Sequence, residues 1–358
     1  MAKGQSKRRA MLRLTIVRAN KRAFGGAEIY LERLCEELSK NGIEYDILHS
    51  TIPKWILSGL RAWLFDMQVC LARDSSRFFF SLDRVSCADV LRVGDGVHRH
   101  YMRIKGGFPY TPLNLAYTHI EARGFAHAKH LIAISEMVKR NIIDCYGVAP
   151  EKISVVYNGI PLHSEQEQAA HSASAKNLRA ELCLGELPVI LYVGSGYKRK
   201  GVHELLEVFA RLQSRAWLLI LGKERHLDAY KAHAKRLQIE ERVRFLGARS
   251  DVWGFYALAS VFVFPTHYEP FGNVILEAMH SRCAVVTTRQ CGGGELLAPR
   301  WLMQSPSDYG IAHEIDALLS DSALLERVQE ENYARSLEFG IDKNAAQTME
   351  IIARVAGS

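Results

Sequence analysis

The feature that most constrains the fold is an alternation of apolar strand-like segments and helix-like segments, which begins twice along the chain. In the first half, Leu12–Val17 leads through a glycine turn and a helical stripe to a second strand-like segment, Ile43–Leu48. In the second half, LPVILYVGSG (187–196) opens a new series of alternating segments. Strands that alternate with helices form parallel sheets covered on both faces. We therefore expect an α/β protein with two Rossmann-like domains that face each other across a cleft.

Changes in composition set the expected domain boundaries. We predict a basic tail at 1–10, an N-terminal domain at 11–160, and a linker at 161–185, where the sequence is rich in Ala, Ser and Gln. The C-terminal domain is expected at 186–336. A final helix within 337–358 is expected to cross back to the N-terminal domain.

The composition is that of an ordinary globular protein, with 48% hydrophobic and 24% charged residues among 358. Seven scattered cysteines without CxxC spacing favour reduced thiols over a disulfide framework or a zinc site, and hence a cytoplasmic location. The best candidate for a membrane span, Trp55–Leu71, contains Arg61 and Asp66, so we expect no transmembrane helix. The basic start of the chain does not resemble a signal peptide.

The charge is unevenly distributed, with a net value of +7 and eight Lys or Arg but no acid in residues 1–22. A basic face suits nucleic acid, anionic lipid or phosphorylated substrates, although it can also be an ordinary solvated surface. No zinc-finger, RRM or KH motif is present, so we expect no nucleic-acid partner.

Ligands of open α/β sheets bind beyond the carboxyl ends of the strands. The first such segment contains Gly25 and Gly26, where a helix N-terminus could approach an anion. The full GxGxxG spacing is missing, which argues against a nicotinamide cofactor. A tight turn between strand and helix would explain the two glycines equally well.

The second segment is VGSGYKRKG (193–201), where a buried strand is followed by Lys198, Arg199 and Lys200. Cations beyond a strand end suit a diphosphate, which Arg can bind bidentately. The spacing is not that of a Walker A loop. The alternative is a basic surface turn.

The third segment is EPFGNVILEAM (269–279), in which Glu269 and Glu277 flank a turn and the start of a helix. Ionised carboxylates accept hydrogen bonds from sugar hydroxyls or a ribose diol, and the first N–H groups of the helix are available to a ligand. The alternatives are a helix salt bridge for Glu277 and, for Glu269, a favourable interaction with the helix dipole.

These segments together resemble glycosyltransferase family 4, which has the GT-B fold. The specific element is EPFGNVILEAM, which matches the E-x7-E signature of retaining glycosyltransferases; the likeness extends from about Leu12 to the end of the chain. The donor loop departs from the commonest family form, because Ser195 stands where Arg is usual. Two segments, the donor loop GSGYKRKG (194–201) and TTRQCG (287–292), are similar to those of lipopolysaccharide core α-glucosyltransferases that act on inner-core heptose.

The resemblance implies roles for individual residues. Arg199 and Lys200 would neutralise the nucleotide diphosphate, and Glu277 would bind the ribose. Gly25 and Gly26 would close on the phosphates from the N-terminal domain. The donor sugar would be held by a group of residues around the E-x7-E turn: Glu269, Phe271, Gly272 and Asn273.

A further candidate segment is RVGDGVHRHY (92–101), which follows a strand of the N-terminal half. It offers Asp95 or His98 to the reacting sugars, and His98 could instead be cationic near the phosphates. An ordinary surface loop would also account for it.

The function implied is retaining transfer of glucose from UDP-glucose to a lipid-linked, phosphorylated acceptor, the heptose of the lipopolysaccharide inner core. No DxD motif is present, so we expect no metal and no other cofactor. The mixture of cations and aromatic residues in 101–115 predicts peripheral association with an anionic membrane, on the inner face of the cytoplasmic membrane. The alternatives are transfer of an N-acetylhexosamine or mannose in capsule or O-antigen synthesis, a Rossmann-type oxidoreductase, and a non-catalytic binding protein.

Overall fold

Short strands and longer helices alternate along the chain in this computed structural model, which describes residues 13–20, 26–74, 76–106 and 110–357. The strands are β1 (Arg13–Val17), β2 (Tyr45–Leu48), β3 (Arg77–Ser81), β4 (Val90–Val93), β5 (His130–Ala133), β6 (Ile153–Val155), β7 (Val189–Val193), β8 (Trp217–Leu221), β9 (Val243–Gly247), β10 (Val261–Phe264), β11 (Ala284–Thr288) and β12 (Leu302–Met303). The helices are α1 (Gly26–Lys40), α2 (Ser58–Leu71), α3 (His98–Lys105), α4 (Pro112–His127), α5 (Glu136–Tyr146), α6 (Glu165–Glu181), α7 (Val202–Ala210), α8 (Leu227–Arg236), α9 (Val252–Leu258), α10 (Asn273–His280), α11 (Ile311–Ser320), α12 (Ser322–Ser336) and α13 (Ile341–Ala356).

The described residues form two compact units, each with its own sheet. The first unit comprises the described parts of Met1–Ile134, Val138–Val156 and Asn344–Ser358; the second comprises Ser135–Met137 and Tyr157–Lys343. The first sheet has the strand order β2-β1-β3-β4-β5-β6, and the second has β12-β11-β10-β7-β8-β9. Every paired strand in both sheets is parallel, which confirms the α/β prediction of two Rossmann-like halves.

The core of the first unit follows from the periodicity of its sequence. In β1, Leu14 and Ile16 lie two residues apart and point to the same face, while Leu34 and Leu38 of α1 lie four residues apart on one helical stripe. These side chains are in one buried cluster, which also contains Ile352 of α13. The last helix is therefore part of the core of the first unit.

The sequence analysis described the segment 161–185 as a linker, and the structure places α6 within it. Ser164 begins this helix with a capping box, in which its hydroxyl accepts from Glu167 N and the Glu167 carboxylate accepts from Ser164 N. The helix packs against α9 of the second unit.

The expectation that all cysteines are reduced is wrong for one pair, because Cys70 and Cys87 form a disulfide. Cys70 lies in the last turn of α2 and Cys87 lies in the loop after β3. The two residues are 17 positions apart in sequence, and the fold brings them next to each other. The disulfide also removes the argument from thiol chemistry for a cytoplasmic location. The other described cysteines are free.

The apolar stretch Trp55–Leu71 contains helix α2. None of the helices within the described ranges has the length and apolar character needed to cross a bilayer.

Candidate functional site

The loop from β7 to α7 delivers two cations to the carboxyl edge of the second sheet. Gly201 allows the backbone conformation of this loop. Its φ is +77°, and a Cβ at this position would lie only 1.8 Å from the carbonyl oxygen of Pro265. No side chain fits in that space, so the chain passes directly against the end of β10. Arg199 and Lys200, which precede this glycine, are thereby directed toward the loop that follows β10.

Arg199, Lys200 and Glu269 form one ionic group, as expected from their places beyond strand ends. Arg199 Nη1 lies 3.0 Å from Glu269 Oε2 and donates to the carbonyl of Tyr268 at 2.6 Å. Lys200 Nζ lies 3.6 Å from the same carboxylate oxygen and 5.3 Å from the centre of the Phe264 ring. Two cations against one carboxylate leave an excess of positive charge, which suits a multivalent anion.

The turn after Glu269 is fixed from both sides. Glu269 N donates to the carbonyl of Gln290, and Gly292 N donates to the carbonyl of Glu269, both at 2.9 Å. Gly272 has a φ of +83°, the left-handed conformation that glycine adopts without strain. Phe271 is buried, and Asn273 begins α10. The N–H groups of this first turn have no acceptor in a preceding helical turn.

Glu277 lies in the second turn of α10 and is held by Tyr256 of α9. The Tyr256 hydroxyl donates to Glu277 Oε2 at 2.8 Å. Burial raises the pKa of Glu277, while the hydrogen bond from Tyr256 and the charge of Lys200 oppose that rise. Its second oxygen, Oε1, has no hydrogen-bond partner among the described residues. No sequence signal points to Tyr256, because its role depends on a neighbouring helix.

Asn273 has a polar neighbour that the sequence analysis missed. The side-chain amide of Asn158 donates to Asn273 Oδ1 at 2.7 Å. Asn158 belongs to the segment VVYNGI (155–160), and the sequence analysis assigned no role to this amide.

In the first unit, Asp95 lies in the loop between β4 and α3, and His98 is the first residue of α3, so both follow the carboxyl end of a strand as expected. Asp95 is exposed, whereas His98 is partly buried. His98 Nε2 lies 3.2 Å from Asn114 Oδ1, and its ring meets Tyr117 edge to face. Burial and the nearby Arg84 lower the pKa of His98. The suggested cationic role is therefore disfavoured, and a neutral imidazole remains available for hydrogen bonding.

Glu121 is a buried carboxylate that positions His98, and the sequence analysis did not find it. It accepts from the backbone N–H of His98 at 2.8 Å and from that of Arg99 at 3.3 Å, at the start of α3. It also accepts from the Tyr146 hydroxyl at 2.6 Å and lies 3.1 Å from Arg84 Nε. A single glutamate in the middle of α4 carries no sequence signature of this use.

A pocket of about 660 Å³ opens in the first unit beside this loop. Its lining is rich in charged side chains, and Asp95 is one of them. The charged residues around it are Arg18, Lys54, Arg61, Asp83, Arg84 and Asp95. Arg18 is paired with Asp83 and Arg84 with Glu121. Lys54 and Arg61 therefore remain against Asp95, a small excess of positive charge that favours an anionic or highly hydroxylated ligand.

The proposed glycine turn lies partly outside the described residues. Gly25 is not described, and Gly26 is the first residue of α1. The expectation that both glycines approach phosphates therefore stays a prediction.

Two groups of side chains among the described residues have the composition of metal-ligand sets, which the sequence spacing did not indicate. His203 and His233 stack at 4.1 Å beside Glu207. Glu207 is already paired with Arg211, and Arg236 lies 3.1 Å from His233 Nδ1. The second group is Asp66 with the disulfide-bonded Cys70 and Cys87. In each group the carboxylate already has a partner, since Glu207 pairs with Arg211 and Asp66 accepts from Ser86.

Two family models match the chain. Residues 175–335 match the family described as glycosyl transferases group 1, and residues 53–164 match glycosyltransferase family 4. Between them they span nearly all of 53–335.

Curated relatives agree with these matches. The chain is 35% identical over 158 residues to the lipopolysaccharide core biosynthesis glycosyltransferase LpsE of Rhizobium meliloti, covering 41% of this chain and 44% of the relative. It is 30% identical over 231 residues to the capsular polysaccharide biosynthesis glycosyltransferase CapM of Staphylococcus aureus, covering 62% and 59%. The alignments thus span about half the length of these relatives.

Solved structures share the fold over nearly the full chain. The crystal structure of WaaG, a glycosyltransferase involved in lipopolysaccharide biosynthesis, has a TM-score of 0.77 at 19% identity, covering 95% of this chain and 99% of that one. The structure of Anabaena Alr3699/HepE in complex with UDP and glucose has a TM-score of 0.71 at 19% identity, covering 96% and 100%. The family matches identify the chain as a glycosyltransferase, with family 4 matched over residues 53–164 and group 1 matched over residues 175–335, and the solved structures show that it has the GT-B fold.

Proposed function

We propose that this protein is a retaining hexosyltransferase that moves glucose from UDP-glucose to a heptose of a lipid-linked lipopolysaccharide core. The observation that carries the proposal is the arrangement of Arg199 and Lys200 against Glu269. The positive charge of Lys200 also acts on Glu277, where it opposes the rise in pKa that burial causes. Cations and hydrogen-bond-accepting carboxylates therefore lie together at the carboxyl edge of the second sheet. A sugar nucleotide needs both, because its diphosphate is anionic and its sugars carry hydroxyl groups.

The cations act on the leaving group. As the bond between the sugar and the diphosphate breaks, negative charge grows on the phosphate oxygens. Preorganised cations stabilise that charge more in the transition state than in the ground state. Arg199 is held by the Tyr268 carbonyl and by Glu269, so its guanidinium is positioned before the donor arrives.

The two carboxylates serve different parts of the donor. Glu277 would accept hydrogen bonds from the ribose diol through Oε1, while Tyr256 fixes Oε2. Glu269 would accept from hydroxyls of the transferred sugar, and the N–H groups at the start of α10, by Phe271, Gly272 and Asn273, would line the same place.

The proposed reaction retains the anomeric configuration by attack on the same face from which UDP leaves. An acceptor hydroxyl adds to the anomeric carbon as the bond to the phosphate oxygen breaks, and the departing phosphate takes the hydroxyl proton. In this proposal Arg199 and Lys200 supply the positive charge, so no metal is needed.

The acceptor is proposed to bind the first unit. The pocket beside Asp95 offers cations for a phosphorylated glycan, and Asp95 or neutral His98 could accept a hydrogen bond from a sugar hydroxyl. The similarity to LpsE and WaaG supports a lipopolysaccharide acceptor. We place the protein on the inner face of the cytoplasmic membrane, where a lipid-linked acceptor would be reached.

The test is a panel of nucleotide sugars with the purified protein, read by thermal shift and by nucleotide release, with and without EDTA. We expect UDP and UDP-glucose to stabilise the protein equally well in EDTA, and Glu277→Ala to abolish the shift. An absence of stabilisation by every UDP, GDP and ADP sugar would overturn the proposal.

A second candidate is transfer of an N-acetylhexosamine in capsule synthesis. A role in capsule synthesis is favoured by the alignment with CapM, which covers more of this chain than the alignment with LpsE does. Preferential stabilisation and turnover with a UDP-N-acetylhexosamine in the same panel would select it over UDP-glucose.

A further inference from the structure

Helix α2 has an apolar stripe on its exposed side. Leu60, Trp63, Met67 and Leu71 are 55%, 41%, 48% and 82% exposed. At 100° per residue these four positions fall within roughly 80° of the helix circumference. Just before the helix, Trp55 and Leu57 are also exposed. No charged residue interrupts this set, which we call the α2 face, and contiguous exposed apolar surface of this kind marks an interaction site.

The opposite side of α2 is firmly attached, so the exposure does not come from a loose helix. Phe65 and Val69 are buried in the unit. The buried carboxylate of Asp66 accepts from both the backbone N–H and the hydroxyl of Ser86, at 2.6 and 2.8 Å. The Cys70–Cys87 disulfide fixes the end of the helix. The α2 face is thus a rigid apolar surface.

The chemistry of the α2 face fits a lipid interface better than a protein partner. Protein interfaces carry about one hydrogen bond per 100–200 Å², but these six side chains offer only the two indole N–H groups. Tryptophan prefers the boundary between headgroups and acyl chains. Lys54, beside Trp55, is exposed, and Arg61 lies on the flank of the stripe. Cations beside an apolar face match an anionic bilayer.

The same segment lines the pocket beside Asp95. Lys54, Ser58 and Arg61 all contribute to its wall, and they are neighbours in sequence of Trp55, Leu57 and Leu60. If the α2 face lies on a lipid surface, the opening of this pocket is therefore held close to the lipid headgroups.

Resting on the transferase function proposed above, we propose that the α2 face inserts into an anionic membrane surface and presents the pocket to the phosphorylated headgroup glycan of a lipid-anchored acceptor. In this arrangement Lys54 and Arg61 contact the acceptor's phosphate. The segment 101–115, expected from the sequence to lie on the membrane, contributes exposed Tyr110 and Leu115 but is secondary to α2.

The first test measures binding of the full chain to vesicles of phosphatidylglycerol and phosphatidylethanolamine, against phosphatidylcholine alone. The test variant combines Trp55→Ser, Leu60→Ser and Leu71→Ser. The control combines Leu162→Ser and Leu337→Ser, which also replaces exposed leucines. We expect the test variant to lose about tenfold or more in partitioning to anionic vesicles and the control to bind as the native chain does. Equal binding by the test variant would overturn the proposal.

Further readouts separate this proposal from the transferase function. The test variant should keep its thermal shift with UDP-glucose and its transfer to a deacylated, soluble core oligosaccharide, while transfer to the same glycan on intact lipid in vesicles falls. Lys54→Gln with Arg61→Gln should raise KM for the soluble acceptor with kcat retained. If the native chain is a dimer without lipid and the test variant is a monomer, the α2 face is a self-interface and the proposal is wrong. If neither protein responds to any nucleotide sugar, the transferase function fails instead.

Discussion

Tyr256 and Glu277 are joined by a hydrogen bond of 2.8 Å between neighbouring helices, in which the tyrosine hydroxyl donates to the carboxylate. The bond does not fully compensate the burial of the charge, since the pKa of Glu277 is raised above its ordinary value of 4.5, with burial as the largest cause. The residue proposed to bind the ribose is therefore held at a cost to the stability of the fold.

Replacing Glu277 by Gln should reveal this cost to the stability of the fold. Gln keeps an oxygen for Tyr256 but carries no charge, so at neutral pH we expect a gain of about 1 kcal/mol, or about 2–4 °C in Tm. UDP-glucose should bind about 10- to 100-fold more weakly, because a charge-assisted hydrogen bond is lost. Thermal unfolding and calorimetric titration measure the two effects. A variant that is less stable and binds normally would contradict both parts.

The pH dependence of this difference has a defined sign. A carboxyl with a raised folded-state pKa stabilises the fold below its unfolded pKa, and this contribution is lost as the pH rises through the folded pKa. The stability advantage of Glu277→Gln over the native protein should therefore be absent near pH 4 and grow as the pH rises above 4.5. Tm measured for both proteins from about pH 4 to 8 checks this; an advantage that shrinks with rising pH would contradict it.

The loop between β7 and α7, which carries Lys198, Arg199 and Lys200, offers a matched pair of substitutions. Arg199→Ala removes a guanidinium that contacts Glu269 and the Tyr268 carbonyl, and we expect kcat to fall about 10²- to 10³-fold. Lys198→Ala changes an exposed neighbour and should leave kcat within about twofold, as expected of a solvated charge. Steady-state kinetics with UDP-glucose decide; equal losses in both variants would mean that Arg199 has no special role.

Much of the candidate site followed from the sequence because parallel strands end at one edge. Arg199 and Glu269 are 70 residues apart, yet both follow strands of one sheet, so their proximity could be expected. Tyr256 and Glu121 could not be found in this way. Each acts through a helix surface whose neighbours are fixed only by tertiary packing.

The segment Trp55–Leu71 shows a second limit of sequence reasoning. Arg61 and Asp66 argue against a membrane span, but the presence of charged residues alone does not show where their side chains point. Asp66 is turned inward to Ser86, which leaves the outer side of α2 apolar. The Cys70–Cys87 disulfide likewise depends on a loop that the spacing of cysteines does not reveal.

Glu121 should be the most sensitive carboxylate of the first unit. Glu121→Gln removes the ion-pair partner of Arg84, whose side chain is only 16% exposed, and breaking a buried pair in this way costs about 3–5 kcal/mol. Urea denaturation measures the loss. The comparison is Glu36→Gln, which breaks an exposed pair with Arg33 and should cost less than about 1 kcal/mol. Similar losses in both variants would contradict the assigned role of Glu121.

Gly201 should be irreplaceable in the donor loop, whereas another glycine with similar backbone geometry should not be. Gly201→Ala places a Cβ 1.8 Å from the Pro265 carbonyl oxygen, so the loop that carries Arg199 and Lys200 must move. Gly247 has a φ of +68°, but a Cβ there would meet no atom within 4 Å, so Gly247→Ala should cost only the backbone strain of about 1–2 kcal/mol. We expect Gly201→Ala to lose both stability and UDP-glucose binding, and Gly247→Ala to keep binding. Thermal shift with and without UDP-glucose distinguishes them, and normal binding by Gly201→Ala would show that the loop does not hold the donor.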